Sequence, residues 1–250
     1  MPDIRYALKN GDPTSTGGQL IACHHGFTHH GVPMGVESRL AGGRPSMSDA
    51  IDPDLRLLAA IAYGEASIRD DSEEIGGIAF AVANRRRAWG GKTVSQLRAA
   101  DPNYSYAWEG SNARFNKLMR ASVKDIELNP GMKLAVEWGK KALANDGPDP
   151  SNGAFWWDGL DFKTNYAKHP KVQDGFKFGS PAHNIFGVQE KRRETIVYWR
   201  VRNKKNGKIV DGAERGRYDS IWVSTAAHGS SIFWGHNPDY VKASGGKAYR

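Results

Sequence analysis

The sequence predicts an α+β protein of 250 residues, and three observations predict it. Residues 1–50 carry eight glycines and four of the eight histidines, with no helical period. From Asp52 to about Asp146, apolar side chains recur at helical spacing. Beyond that point the period fades and aromatics accumulate. A small β piece, a helical block and a mixed tail follow one another in the order of an α+β arrangement. At roughly 100–200 residues per domain, the length allows one sizeable domain with a small appendage. The expected division is a short segment over 1–40, a linker over 41–50 and a main domain over 51–250.

In the first segment, Gly-Asp, Gly-Gly and His-Gly steps between short apolar pairs (Leu20-Ile21, Val32) suggest short strands and tight turns. Ala41-Gly42-Gly43-Arg44-Pro45-Ser46-Met47-Ser48 reads as a linker. Asp52 then serves as an N-cap, with Pro53 at the first helical position and Asp54 at the positive end of the dipole. Leu55, Leu58, Ala59 and Ala62 give that helix one apolar face, and it should fray near Gly64-Glu65. A second helix starts at Asp71-Ser72 and carries Ile75, Ile78, Ala79 and Val82 on one stripe to about Asn84. Asp71 and Glu74 have the spacing of a capping box. Further helices are expected at about 112–127 and 132–145; in the latter Ala135, Trp138, Gly139, Ala142 and Leu143 share a face. Thr195–Arg202 and Lys208–Val210 around Asn206-Gly207 predict a β-hairpin. Ser220–Trp234 supplies one or two more strands.

Composition removes several classes. Hydrophobic residues at 39% and charged residues at 25% match globular proteins, which excludes wholesale disorder. The single cysteine, Cys23, excludes an intramolecular disulfide and a Cys-only zinc site within one chain. No apolar run approaches the ~20 residues that span a bilayer, so stable membrane insertion is not expected. The opening Met1-Pro2-Asp3-Ile4-Arg5-Tyr6 lacks the basic-then-apolar layout of a secretory signal, which predicts a soluble protein made in the cytosol. With 35 Lys+Arg against 27 Asp+Glu the net charge is +8. That favours a polyanionic partner, whether nucleic acid, lipid headgroups or an acidic bacterial wall. Arg85-Arg86-Arg87, Lys191-Arg192-Arg193 and Lys204-Lys205 read as solvated surface.

Glu65 is the first candidate for chemistry. It follows Tyr63-Gly64 where an apolar helix ends, and the negative end of the dipole disfavours its ionisation. Apolar surroundings raise its pKa further, as a general acid near neutral pH requires. The plainer reading is a solvated glutamate at a helix end. Asp70, Asp71, Glu73 and Glu74 are each able to supply a second carboxylate of a glycosidase pair, or only to stabilise a helix start. The aromatics Tyr104, Tyr106, Trp108, Phe155, Trp156 and Trp157 suit sugar faces, single-stranded nucleic acid or a core. Cys23, His24, His25, His29 and His30 cluster, yet their spacing matches no common zinc finger, and no metal is expected. Nucleophile-elbow and phosphate-loop motifs are absent. His228 and His236 read as surface or structural residues.

Two stretches resemble known families. Tyr6-Ala7-Leu8-Lys9-Asn10-Gly11-Asp12-Pro13-Thr14-Ser15-Thr16-Gly17-Gly18-Gln19-Leu20-Ile21 resembles the opening of PAAR-type domains, small β cones that cap the spike of the bacterial type VI secretion machine. The family's usual histidine before Gly-Gly is Thr16 here. Ala62-Tyr63-Gly64-Glu65-Ala66 and Gly77-Ile78-Ala79-Phe80-Ala81-Val82-Ala83-Asn84-Arg85 resemble the SleB-like cell-wall hydrolases. Tyr104-Ser105-Tyr106-Ala107-Trp108, Asn152-Gly153-Ala154-Phe155-Trp156-Trp157 and His183-Asn184-Ile185-Phe186-Gly187 are similar to that family's later blocks, in order.

The second resemblance implies a lysozyme-like fold that cleaves peptidoglycan glycan strands, as a muramidase or as a lytic transglycosylase. It implies Glu65 as the acid and Glu74, or its neighbour Glu73, as a second carboxylate. Tyr63, Tyr104, Tyr106, Trp108, Asn152, Phe155, Trp156, Trp157 and His183 are the expected sugar-binding residues. No cofactor is expected. The two resemblances together imply an antibacterial type VI effector made in the cytoplasm and acting in the periplasm of target bacteria. Spike proteins and an immunity protein are its expected partners, and nucleic acid is not. The rival readings are a nucleic-acid enzyme, a non-catalytic spike adaptor and an amidase; the last lacks a visible zinc triad in 51–250.

Overall fold

The computed structural model describes residues 28–29, 32–33, 51–91, 93–100 and 112–249. The chain divides into two compact units, Met1–Ala50 and Ile51–Arg250. In the first, strands β1 (Thr28–His29) and β2 (Val32–Pro33) pair antiparallel, with His29 opposite Val32. Leu20-Ile21, the linker, and Cys23, His24, His25 and His30 lie outside the described residues.

The second unit opens on the predicted helices. In α1 (Pro53–Glu65), the Asp52 carboxylate accepts the backbone N–H groups of Asp54 and Leu55 at 2.9 and 3.0 Å. Two of the four orphan donors of a helix start are thereby satisfied. Asp71 caps α2 (Ser72–Ala88) by accepting from Glu74 N at 2.8 Å. The expected capping box is only half formed, because the Glu74 side chain turns away to partners elsewhere. The α2 stripe is buried as predicted, but so are Gly76, Gly77, Phe80, Ala81 and Ala83 on its other sides, so this helix runs through the core.

It also runs past Asn84, and the run Arg85-Arg86-Arg87 is not a solvated face. Arg85 is 2% exposed and lies over the Trp156 ring at 4.7 Å. Arg87 donates to the Ala142 carbonyl at 2.8 Å. Local charge density suggested solvent, whereas tertiary packing supplies an aromatic face and open helix-end carbonyls.

Four more helices follow: α3 (Val94–Ala100), α4 (Ala113–Arg120), α5 (Val123–Leu128) and α6 (Pro130–Ala144). The single helix expected over 112–127 is two, because Ser122 and Asp125 form a reciprocal capping box that starts a new one. On α6, Ala135, Gly139 and Ala142 are buried, with Trp138 and Leu143 packed at the edge of the core. Helix α1 packs against α2, α4 and α6.

The tail contains, in order, β3 (Trp156–Asp158), α7 (Asp161–Thr164), α8 (Pro170–Asp174), β4 (Phe176–Phe178), β5 (Thr195–Arg202), β6 (Ile209–Tyr218), β7 (Trp222–His228), β8 (Ser231–His236) and α9 (Pro238–Ser244). Strands β3, β8, β7 and β4 form one sheet in that order, with β4 parallel to β7 and the other pairs antiparallel. The predicted hairpin is β5 with β6, a separate two-stranded sheet. Side chains alternate across β8. Phe233 enters the helical core, while Ile232 and Trp234 join Phe162, Val172 and Phe176 in a second, aromatic core. Gly77 on α2 makes the first contact possible: a Cβ there would stand 2.4 Å from the Phe233 ring. The unit is thus a helical layer joined to a small mixed sheet, an α+β arrangement.

Candidate functional site

Glu65 is the last residue of α1 and is half-buried. Two elements from elsewhere in the chain close around it. Asn112 caps α4 by accepting Phe115 N at 3.0 Å, and its amide donates to the Gly64 carbonyl at 2.8 Å, which sets it beside the Glu65 carboxylate. Trp157, on β3, brings its indole N–H beside the same carboxylate, where it favours the ionised form. Burial is the strongest influence on this group and pushes its pKa above the usual glutamate value. The two donors pull it back, and the nearby charge of Asp161 at the start of α7 pushes it up again; the net result is a raised pKa. An acid that keeps its proton at higher pH, set beside an indole and an amide N–H, has the properties of a proton donor.

Glu74 is different in kind. It is 0% exposed and accepts five hydrogen bonds. Oε2 takes Ser67 N at 3.1 Å and Ser67 Oγ at 2.6 Å; Oε1 takes Ser230 N, Ser230 Oγ and Ser231 Oγ at 3.1, 2.8 and 2.9 Å. Burial alone would raise its pKa, but the donors of Ser67, Ser230 and Ser231 outweigh it and the carboxyl sits below its usual value. Gly229 permits the approach: its φ is +56°, and a Cβ would meet Glu74 Oε2 at 2.5 Å. A carboxylate so enclosed neither meets a water nor touches a substrate. That enclosure does not favour the expected role of Glu74 as the second catalytic carboxylate. Glu74 is an anchor, tying the segment that leaves Glu65 to the β7–β8 turn. Its neighbour Glu73 is exposed and pairs with His228 Nδ1 at 3.2 Å.

The expected sugar-binding residues divide. Trp157 meets Glu65. Trp156 points to the other face of β3, edge-on to Trp222 at 4.8 Å and beside His236, because neighbours on a strand alternate. Phe155 is half-buried, 5.7 Å from Trp156 between ring centroids. Tyr63 is buried under the Arg114 guanidinium at 3.8 Å, so it offers no stacking face and is corrected to a core role. Asn152 is an exposed turn residue at φ +51° whose amide donates to the Thr225 carbonyl. His183 Nδ1 lies 2.8 Å from Ser224 Oγ, and burial holds its pKa down. Tyr104, Tyr106 and Trp108 lie outside the described residues. His228 and His236 are structural: His228 Nε2 meets the Pro150 carbonyl at 2.9 Å, and His236 packs on Trp156 and Trp222.

Sequence reasoning missed Asn112, Asp161 and the three serines. Asn112 carries a signal, an asparagine at a helix start, but nothing local assigns it a second partner. Asp158, Asp161 and His169 place one ligand atom each within 4.8 Å of one another. Lys171 Nζ already stands 2.9 Å from Asp158 and supplies the positive charge there. A concavity of about 470 Å³ lined by Lys117, Arg120, Asp125 and Met132, among others, holds none of the predicted residues. Among the described residues, no helix is long and apolar enough to cross a membrane. No family model, no curated protein and no solved structure matches this chain.

Proposed function

We propose that the chain cleaves peptidoglycan glycan strands at the β-1,4 bond between N-acetylmuramic acid and N-acetylglucosamine, with Glu65 as the general acid. The observation that carries the reading is the Glu65 carboxyl, half-buried, raised in pKa and held by Trp157 and Asn112. In the reaction, Glu65 gives its proton to the leaving glycosidic oxygen as positive charge develops on the sugar ring. The enclosure of Glu74 supports the single-acid route among those the resemblance allows. There the C6 hydroxyl of the N-acetylmuramic acid attacks its own C1 and Glu65 recovers a proton from that hydroxyl. The products are a shortened strand and a 1,6-anhydro end, with no water consumed. Hydrolysis is the second reading; the exposed carboxylate of Asp161 favours it, since a base near Glu65 is able to activate water.

The likeness of residues 6–21 to PAAR-type openings supports delivery by a type VI spike into the periplasm of target bacteria, where an immunity protein would protect kin. Purified sacculi test the enzymatic reading. The full chain should release soluble glycan fragments and Glu65→Gln should not. Fusion to an export signal should lyse cells that tolerate cytosolic expression. Cytosolic killing with degraded chromosomal DNA would instead favour a nuclease, and a folded protein inert on sacculi would favour an adaptor.

A further inference from the structure

The β5–β6 hairpin concentrates the charge of the chain. Residues 195–218 hold seven lysines and arginines against two carboxylates, a net +5 in a chain of net +8. Both carboxylates are already paired, Glu214 with Arg217 toward the base and Asp211 with Arg200 one ladder position below Val201 and Val210. The distal stretch 201–210 has Arg202, Lys204, Lys205 and Lys208 and no acid at all. Helix α9 packs on the base, with Tyr240 against Tyr218 at 5.2 Å between ring centroids.

Beside the distal cations lie apolar side chains that the fold leaves open. Trp199 is 53% exposed, Ile209 48% and Val201 44%. Val201 stands opposite Val210 across the ladder, and Arg202 opposite Ile209, so each cross-strand position near the turn is apolar or cationic. Arg215 lies over the Trp199 ring at 4.6 Å. A nucleic acid rewards the cations and, if single-stranded, the tryptophan, but leaves Val201, Val210 and Ile209 without a partner. A bilayer with anionic headgroups rewards both sets, since lysines and arginines meet phosphate while tryptophan and aliphatic side chains settle at the interface.

We propose that the distal half of this hairpin docks the protein onto anionic phospholipid bilayers, as a peripheral contact that inserts no span. The proposal is independent of the chemistry at Glu65, so Glu65→Gln should bind bilayers like the parent chain.

Sedimentation of the full chain with vesicles tests it. Vesicles of phosphatidylglycerol and phosphatidylethanolamine should carry the protein down, vesicles of phosphatidylcholine should not, and high salt should weaken the binding. At about fivefold per cationic side chain near an anionic surface, the Lys204→Gln/Lys205→Gln pair should lower the partition coefficient by roughly 25-fold. Val201→Ser/Val210→Ser should also lower it at an unchanged melting temperature, and Ile209→Ser provides the same reading if that pair disturbs the hairpin. Equal binding to both vesicle types overturns the proposal. So does full binding by the apolar variants with equal competition from duplex DNA, which would mark a general polyanion site.

Discussion

Glu74→Gln keeps the size of a buried side chain and removes one of its two acceptor oxygens. Whichever way the amide is placed, one backbone N–H is left facing an NH₂ group: Ser67 N on the Oε2 side or Ser230 N on the Oε1 side. The serine hydroxyls are able to rotate and accept; the backbone donors are not. A stranded buried donor costs about 1–3 kcal/mol, and exchanging charged for neutral acceptors at the remaining contacts adds about 1 kcal/mol. The expected loss is therefore about 2–4 kcal/mol. In a unit of this size that lowers the melting temperature by about 4–16 °C.

The sign with pH follows from the lowered carboxyl. Ionised Glu74 stabilises the fold above the unfolded glutamate's pKa, and that stabilisation is lost as pH falls through the folded value. The gap between parent and variant, read by calorimetry across pH, should be widest at neutral pH and close in acid. Activity on sacculi should fall only modestly in the folded fraction, through loosening of Ser67 behind Glu65. A variant that melts with the parent yet loses roughly 10²-fold or more in rate, the range of a missing acid–base group, would refute the anchor reading and restore Glu74 to catalysis.

Glu65→Gln should lose about 10²–10⁴-fold in glycan release. Since burial disfavours the ionised form, the same variant should melt higher than the parent at neutral pH, with the difference vanishing below the unfolded glutamate's pKa. Asp161→Asn removes a charge that raises the Glu65 pKa, so the alkaline limb of the pH–rate profile should move to lower pH. Trp157→Phe removes a donor that favours the carboxylate, so the limb should move to higher pH. Gly77→Ala drives a methyl into the Phe233 ring and should cost about 1–3 kcal/mol in urea unfolding despite alanine's better helix propensity.

What was legible in the sequence lay within one or two helical turns. Asp52 and Asp71 mark helix starts, Asn206-Gly207 marks a hairpin, and Glu65 stands out because an apolar helix ends at it. What was not legible depends on partners far along the chain. Glu74 looks like any first-turn acid until Ser230 and Ser231, 156 and 157 residues later, reach its carboxylate. Arg85 looks solvated until Trp156 stacks beneath it. Trp156 and Trp157 read as one aromatic pair, whereas the pairing of β3 with β8 sends them to opposite faces and leaves only Trp157 beside Glu65. Asn112 reaches the site because α4 packs on α1, and Asp161 because α7 starts just after β3, the strand that carries Trp157; no local pattern announces either.

Mass spectrometry of sacculi digested by the full chain identifies the bond cleaved and the end group left on the glycan. A single-acid route through Glu65 should give disaccharide-peptide fragments ending in 1,6-anhydro-N-acetylmuramic acid, produced by the parent and by a folded Asp161→Asn chain and absent with Glu65→Gln. Reducing ends together with an inert Asp161→Asn would move the chemistry to hydrolysis through Asp161. Intact glycan with severed stem peptides, or full activity in folded Glu65→Gln, would rule out glycan cleavage by Glu65.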